Sequence, residues 1–240
     1  MSSSSVIAVL GAGPGLGMSM AHRFGREGFA VALVSRSARR HPGYRAALAA
    51  EGIDARTYAA DVTDPAQLAG VVERIGADLG PIDTLYFGPA TPDAGADVVP
   101  LPQAGPAEVR APFESVVTPA AGAVAAVLPR MLERGRGALL FGGGLAGLRP
   151  LPALGTLAPA SAALRMYVLT LHAALAEHGV HAGVLTIGGL VERGDIHRVM
   201  TERGARLPTL DPDVIAERAW RMYLARDEAE AVFDALPPAA

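Results

Sequence analysis

The chain has 240 residues, a length that suits one α/β domain. Its formal net charge of −3 argues against nucleic acid or an anionic membrane surface as a partner, because both select basic proteins. The absence of cysteine excludes disulfides, thiolate catalysis and cysteine-based zinc sites. All 21 basic residues are arginine, and asparagine is missing as well as lysine.

No segment predicts a membrane span or a secretory leader. The longest apolar stretch, residues 120–128, is shorter than the roughly 18 residues that cross a bilayer. Residues 1–5 lack the basic start of a secretory signal, and we expect them to form a disordered tail. We therefore expect a cytoplasmic protein without a membrane partner.

Short apolar runs alternate with longer helical segments, which is typical of βα units around a parallel sheet. The runs predict strands at residues 6–10, 29–35, 54–60, 84–87, 138–141, 180–187 and 230–233. The segments between them predict helices at residues 16–27, 116–133, 159–178 and 212–225, and one more that begins after Asp64. Residues 89–112 contain six prolines and little periodicity, and we expect an irregular segment there. The predicted fold is α/β, a Rossmann-like doubly wound parallel sheet of about seven strands in one domain over residues 1–240.

A glycine-rich turn joins the first strand to the first helix. It runs from Gly11 to Gly17, and its candidate cofactor-binding residues are Gly11, Gly13, Gly15, Leu16 and Gly17. Glycine lets a backbone turn tightly and approach a pyrophosphate, which then rests on the N-terminus of the helix. Placed first in a βαβ unit, the pattern predicts a dinucleotide site.

Two further positions predict how the adenosine half of a dinucleotide is held. The second strand ends in Ser35 and Arg36 rather than in an acid, with Arg39 and Arg40 close behind. A guanidinium beside a hydroxyl can bind a 2′-phosphate, so the sequence favours NADP(H) over NAD(H). A solvated turn is the alternative for these arginines. The pair Asp61 and Val62, after the third strand, is placed to accept a hydrogen bond from the adenine amino group.

These motifs resemble the short-chain dehydrogenase/reductase family over nearly the whole chain. The segment from Leu10 to Gly17 resembles its TGxxxGxG loop, and Asp61-Val62 is similar to its adenine-binding pair. The resemblance implies NADP(H) across the carboxyl ends of the strands, with further contacts from Gly88, Ile187 and Gly189. It also implies a substrate lid over residues 189–210. The family packs the two longest helices between subunits, so the resemblance further implies a homodimer or homotetramer.

The catalytic positions of that family are not kept. Its asparagine falls on Pro119, its serine on Gly144, its tyrosine on Leu157 and its lysine on Ser161. The hydroxyls of Thr156 and Ser161 are therefore the candidate catalytic groups, as groups that orient the substrate or the ribose.

Other side chains could move a proton in place of the missing tyrosine. The phenols of Tyr86 and Tyr167 are available, and Tyr167 is better explained as a subunit contact. In the lid, Glu192, Asp195 and His197 could form a proton relay, although such a run is more often solvated surface.

The resulting hypothesis is an NADP(H)-dependent oxidoreductase acting on a small organic substrate by a non-standard mechanism. Without the usual acid, an activated acceptor such as an iminium or an enone suits it better than a simple ketone. A non-redox cyclase or isomerase, or an inactive NADP-binding protein, is the alternative. No metal site is expected, because the histidines lack metal-ligand spacing. His178 and His181 instead bracket a helix end at Gly179, where a cation complements the helix dipole.

Overall fold

A sheet of seven parallel strands forms the centre of the computed structural model, which describes residues 5–88 and 98–237. The strands are β1 Val6–Leu10, β2 Ala30–Ser35, β3 Ala55–Ala59, β4 Ile82–Phe87, β5 Gly137–Gly144, β6 Val180–Gly188, β7 Leu190–Val191, β8 Thr209–Leu210 and β9 Glu230–Asp234. The sheet order is β3-β2-β1-β4-β5-β6-β9, and β7 pairs with β8 outside the sheet. Strands β2 and β3 lie on one side of β1, and β4, β5, β6 and β9 lie on the other. This order confirms the predicted doubly wound α/β fold.

Helices cover both faces of the sheet. They are α1 Leu16–Gly25, α2 His41–Ala49, α3 Pro65–Leu79, α4 Pro106–Pro112, α5 Thr118–Arg134, α6 Leu157–Leu175, α7 Asp195–Glu202 and α8 Pro212–Ala225. The first, second and eighth pack on one face, and the third, fifth and sixth pack on the other. Asp64 begins α3 as expected, because its Oδ1 accepts hydrogen bonds from the N–H groups of Ala66 and Gln67 at 2.8 and 3.1 Å.

The position of β1 in the middle of the sheet explains why all its residues are apolar. Val6, Ala8 and Leu10 face one helical layer, whereas Ile7 and Val9 face the other, and all five are fully buried. A parallel strand that is covered on both sides reads as a continuous apolar run. Each fully buried aliphatic side chain of this size contributes about 1.5–3 kcal/mol. The strand is thus a rigid base for the glycine-rich turn that follows it.

The prediction of an irregular segment at residues 89–112 is only partly correct. Residues 89–97 lie outside the described residues, and a short 3₁₀ turn occupies Leu101–Gln103. From Pro106 onward the chain is helical through α4, a π-helical turn at Phe113–Val117 and then α5. Proline misled the prediction, because Pro106 stands in the first helical turn, where a missing N–H costs nothing. The π-helical turn follows Pro112, where the helical hydrogen-bond pattern changes.

The same helical run, from Pro106 to Arg134, is long and apolar enough to cross a membrane by length and composition alone, with a mean hydropathy of 1.4. It is the only such helix in residues 5–88 and 98–237. Within it Ala120, Val124 and Val127 are buried in the core cluster on the sheet. This packing accounts for its apolar face as one layer of the fold.

The predicted lid at residues 189–210 has regular structure of its own. It contains the small β7–β8 pair and the helix α7, whereas the sequence predicted no elements there. The prediction also missed α2, which begins directly after Arg40. Both helices are short, with nine residues in α2 and eight in α7, and so show little periodicity in the sequence.

The prediction that His181 lies at a helix end is wrong. It pairs with Ala138 inside the sheet and is 3% exposed, and its ring lies edge-on to that of His172 at 5.4 Å between centroids. Neither ring nitrogen of His181 has a hydrogen-bond partner in the described chain. Burial, and then the neighbouring His172, lower its pKa to about 4. A buried neutral imidazole therefore replaces the expected surface cation.

Candidate cofactor and active site

The glycine-rich turn after β1 is held by backbone contacts that a side chain would disrupt. The N–H groups of Gly11 and Ala12 both donate to the carbonyl of Val34, at 3.0 and 2.8 Å. Gly11 has a φ of 91°, a conformation that favours glycine. A β-carbon on Gly17 would lie 3.1 Å from the Cα of Ala12, so glycine is needed where α1 approaches the turn. The turn therefore presents the N-terminus of α1, with Leu16 at its first position, to a ligand.

The lid lies directly against this turn. A β-carbon on Gly15 would lie 3.0 Å from the carbonyl oxygen of Glu192 and 3.0 Å from the backbone of Gly194. Arg193, which has a φ of 64°, anchors this part of the lid through contacts with Ser19 of α1 at 3.2 Å and Asp213 of α8 at 2.8 Å. The lid backbone and the glycine-rich turn are thus within contact distance of each other at Gly15.

A cavity of about 600 Å³ opens beside the turn, over the carboxyl ends of β1, β2 and β3. Its walls come from the glycine turn, the segment after β2, the segment after β3, the π-helical turn and α7. The lining residues are Gly11, Ala12, Gly13, Val34, Ser35, Arg36, Ser37, Arg39, Arg40, Tyr44, Ala60, Asp61, Val62, Thr63, Ser115, Asp195, Ile196, Arg198 and Val199. The lining includes four guanidiniums and two carboxylates, so the wall of this cavity has a net positive charge.

Two of the four arginines are available to a ligand. Arg36 and Arg39 form no salt bridge with any carboxylate in the described part of the chain. Arg40 is bound to Asp195, and Arg198 to Asp195 at 3.7 Å and Glu202 at 3.1 Å. An anion that entered the cavity would therefore meet Arg36 and Arg39 without displacing a carboxylate.

Ser35, which the sequence grouped with Arg36, is already engaged. Its hydroxyl donates to the carbonyl of Ser37 at 3.1 Å and lies 2.8 Å from Nε2 of His41. Burial lowers the pKa of His41, so the imidazole is held neutral. Ser35 lines the cavity, and its hydroxyl shapes the loop that carries Arg36.

Tyr44 of α2 places a hydroxyl in the same cavity wall. The residue is 9% exposed, and its hydroxyl makes no hydrogen bond of acceptable geometry with the described residues. Burial raises the pKa of Tyr44, and the Arg40 guanidinium nearby opposes that rise. The hydroxyl itself is enclosed and lies beside the Arg40 guanidinium.

Asp61 and Val62, the pair that the sequence predicts to contact adenine, line the cavity. Asp61 Oδ1 accepts hydrogen bonds from the backbone N–H and the hydroxyl of Thr63, at 3.0 and 2.7 Å. These bonds, and the more distant Arg36, hold the pKa of Asp61 below its usual range. Val62 is 6% exposed and belongs to the core. The carboxylate is therefore ionised, and its second oxygen remains available to an adenine amino group.

On the other side of β1, glycine replaces side chains at the strand ends. Gly88 follows β4 and donates its N–H to the carbonyl of Leu10 at 3.0 Å, and β5 ends in Gly142, Gly143 and Gly144. Ile187 pairs with Gly144 at the end of β6, and Gly189 lies one residue beyond β6. These residues meet at one edge of the sheet, where the sequence placed the second half of the cofactor.

Ser161 reaches the position of a missing catalytic side chain. A β-carbon on Gly144 would lie 3.1 Å from the Ser161 Oγ, so this hydroxyl stands beside the volume that a serine at 144 would fill. A β-carbon on Gly147 would lie 2.7 Å from the carbonyl oxygen of Ser161, and glycine there lets α6 approach the turn after β5. No hydrogen bond joins the Ser161 hydroxyl to another residue of the described chain. It is free to contact a substrate.

Thr156 has a different environment. It is fully buried, its Oγ1 accepts from the N–H of Val99 at 3.4 Å, and its own N–H donates to the carbonyl of Val99 at 3.0 Å. These contacts attach the segment before α4 to the start of α6. They account for the Thr156 hydroxyl without a contact to substrate.

Two of the three residues proposed for a proton relay in the lid, Asp195 and Glu192, are engaged in holding it. Asp195 is bound to Arg40, and Glu192 Oε1 accepts a hydrogen bond from the Thr209 hydroxyl at 2.7 Å. The sequence did not assign Tyr44 or Ser115 to the cavity. They reach it from α2 and the π-helical turn, and no local pattern marks them. In residues 5–88 and 98–237 no group of three or more acidic or histidine side chains could hold a metal ion.

Comparison with known proteins identifies the family of the chain. The family model described as short chain dehydrogenase matches residues 5–196. Glycine betaine reductase ATRR of Emericella nidulans is 31% identical over 156 residues, which cover 64% of this chain and 12% of that protein. The match thus spans about an eighth of that relative's length. The 2,3-dihydro-2,3-dihydroxybenzoate dehydrogenase of Bacillus subtilis is 26% identical over 180 residues, or 75% of this chain and 67% of the dehydrogenase.

A solved structure shows the same fold. The crystal structure described as a short-chain dehydrogenase/reductase from Burkholderia xenovorans has a TM-score of 0.82 at 25% identity. The match covers 96% of this chain and 95% of that one.

Proposed function

Because the chain belongs to the short-chain dehydrogenase family, we propose that it is an NADP(H)-dependent oxidoreductase acting on a small organic substrate. The observation that carries the choice of NADP(H) is the pair of guanidiniums without carboxylate partners, Arg36 and Arg39, in the cavity beside the glycine turn. A ribose 2′-phosphate is the cofactor group that would use them.

The described residues fit each part of that cofactor. The N-terminus of α1 would hold the pyrophosphate, and Asp61 would accept from the adenine amino group. The guanidiniums of Arg36 and Arg39 would bind the 2′-phosphate. The glycine-lined strand ends at Gly88 and Gly144 would leave room for the nicotinamide riboside.

The side chains near the nicotinamide end restrict the reaction. When bound, NADPH would supply a hydride, but Leu157 and Ser161 cannot supply the acid and the cation that the family places there. Positioned acid–base groups typically contribute about 10²–10⁴ in rate. The proposed substrate is therefore already electrophilic, an iminium ion or an activated enone, and Ser161 orients it by hydrogen bonding.

We also propose that the protein is a homodimer or homotetramer. Met166 of α6 is 57% exposed and Leu132 of α5 is 41% exposed. Both belong to the pair of long helices that would form the contact between subunits. Sedimentation of the full chain would measure its oligomeric state, and a monomer at micromolar concentration would contradict this part of the proposal.

Titration of the full chain with NADPH and with NADH, followed by nicotinamide fluorescence, tests the cofactor. Arg36→Ala should weaken NADPH about tenfold or more and NADH much less, because one charge-assisted contact to phosphate is lost. Arg45→Ala, which removes an exposed guanidinium of α2 outside the cavity lining, should change neither. Equal losses for the two cofactors in Arg36→Ala would contradict the 2′-phosphate assignment.

The reaction class is tested separately with a panel of cyclic iminium ions, activated enones and simple ketones. Loss of the reduced-nicotinamide absorbance should be faster with the first two than with the ketones. Saturable NADPH binding with no turnover of any acceptor would contradict the oxidoreductase and leave a binding protein or a non-redox enzyme.

A further inference from the structure

The hydroxyl of Tyr86 lies at the carboxyl edge of the sheet, beneath the glycine-lined strand ends. A β-carbon on Gly88 would overlap this hydroxyl, and one on Gly142 would lie 3.1 Å from it. Both positions are two residues beyond the Tyr86–Leu140 pair of β4 and β5. The ring therefore runs along β4 toward the strand ends, and glycine at two positions makes room for its oxygen.

The ring of Tyr86 is part of the core, whereas its hydroxyl lies at the strand ends. Tyr86 is 2% exposed and packs in the core cluster that includes α1 and α8, and no hydrogen bond joins its hydroxyl to another residue of the described chain. Phenylalanine would fill the same ring position, so packing alone does not account for the hydroxyl. Tyr44, Tyr58, Tyr167 and Tyr223 lie on other elements, so none of them supplies a hydroxyl at this edge.

The sheet order places the nicotinamide half of a cofactor over this hydroxyl. The cavity with Arg36 and Asp61 lies over β2 and β3, on one side of β1. A dinucleotide that crosses the glycine turn after β1 must continue over the strands on the other side. Those strands are β4 and β5, whose ends are Gly88 and Gly142 to Gly144.

Burial also fixes what the phenol can do. It raises the pKa of Tyr86 well above its usual range, so the hydroxyl keeps its proton at neutral pH. The group is consequently a hydrogen-bond donor and a poor acid or base. It can hold an oxygen in place, and it cannot replace the missing catalytic tyrosine as a proton donor.

We propose that Tyr86 is a cofactor-binding residue, and that its hydroxyl donates a hydrogen bond to an oxygen of the nicotinamide riboside half of NADP(H). This inference rests on the proposed function, since it requires that the cofactor bind across the glycine turn. The proposed contact between Tyr86 and the cofactor is not part of the family motifs found in the sequence. Tyr86 precedes Gly88 by two positions.

A pair of ligands separates the two halves of the cofactor. NADPH carries the nicotinamide riboside, whereas adenosine 2′,5′-bisphosphate carries only the adenosine with its 2′- and 5′-phosphates. Tyr86→Phe should weaken NADPH about threefold to tenfold, the effect of one hydrogen bond, and leave adenosine 2′,5′-bisphosphate within about twofold of the wild type. Tyr167→Phe, a half-buried phenol of α6, is the matched control and should change neither affinity.

Gly142→Ala provides a second variant. Its β-carbon would lie 3.1 Å from the Tyr86 hydroxyl, so the hydroxyl must shift, and the affinity for NADPH should again weaken while that for adenosine 2′,5′-bisphosphate does not. Thermal unfolding monitors the fold, and Tyr86→Phe should leave Tm unchanged because the packing of the ring is kept.

The outcomes distinguish this inference from the proposed function. Wild-type protein that binds NADPH, with an unchanged affinity in Tyr86→Phe, would overturn the Tyr86 assignment alone. Equal weakening of NADPH and adenosine 2′,5′-bisphosphate would overturn it too, because the hydroxyl would then act through the fold. Wild-type protein that binds neither ligand would overturn the proposed function and this inference together.

Discussion

The guanidinium of Arg40 forms two hydrogen bonds with the carboxylate of Asp195, from Nη1 to Oδ2 at 2.6 Å and from Nη2 to Oδ1 at 2.7 Å. The two residues are separated by 155 positions in the sequence, one before α2 and the other at the start of the lid helix α7. These hydrogen bonds raise the pKa of Arg40 and lower that of Asp195, so both groups are charged. The pair fastens the lid to the rim of the cavity that would receive the 2′-phosphate.

Asp195→Asn should increase the affinity for NADPH. The change removes a negative charge from the cavity wall and frees Arg40 for the 2′-phosphate. The two side chains are about 40% exposed, at 37% for Arg40 and 42% for Asp195, so their ion pair contributes about 0.2–1 kcal/mol. The affinity for NADPH should therefore increase about twofold to fivefold. The measurement is a fluorescence titration at two salt concentrations.

Glu217→Gln is the control for that prediction. It removes the same charge from a carboxylate of similar exposure, 41%, whose partners Arg23 and Arg221 do not line the cavity. It should leave NADPH affinity unchanged. A loss of affinity in Asp195→Asn would show instead that the closed lid holds the cofactor.

Gly15→Ala should weaken both the fold and NADPH binding. The added β-carbon would lie 3.0 Å from the lid backbone at Gly194, a contact tight enough that the lid must shift. Overpacking of this kind costs about 1–3 kcal/mol, and a shifted lid would change the rim of the cavity that would hold the cofactor. Thermal unfolding and NADPH titration measure the two effects.

Gly43→Ala serves as the reference for that change. A β-carbon on this glycine of α2 meets no atom within 4 Å, so the substitution should leave Tm unchanged or raise it. If Gly15→Ala behaved like Gly43→Ala in both measurements, the close contact between lid and turn would be refuted.

His181 should make the protein less stable as the pH falls. Its folded pKa of about 4 lies below the value of 6.5 in an unfolded chain, so the unfolded chain binds the proton first. Its contribution to stability is complete above about pH 6.5 and is lost as the pH falls toward 4. Between pH 7 and pH 5 the free energy of unfolding should fall by about 2 kcal/mol through this group.

Urea unfolding at several pH values tests the assignment to His181. His181→Leu replaces the ring with an apolar side chain and should remove most of that fall, while His178→Gln, at an exposed position three residues away, should keep it. The other groups near the ring are His172, Arg226 and Asp227, and their shared influence makes the comparison of variants necessary. An unchanged pH dependence in His181→Leu would assign it elsewhere.

The sequence by itself determined the fold and the cofactor turn, because both depend on local order along the chain. The alternation of apolar strands with helices defines a covered parallel sheet, and the glycines from Gly11 to Gly17 mark a turn that few other residues could form. The prediction failed for Pro106 and for α7, where helical conformation is decided by packing rather than by residue type. Only the tertiary structure brought together Arg40 with Asp195, and Ser161 with Gly144. Such pairs depend on where helices cross the sheet, and no spacing within one segment specifies that crossing. The same holds for the Tyr86 hydroxyl, whose position depends on glycines at the ends of two neighbouring strands.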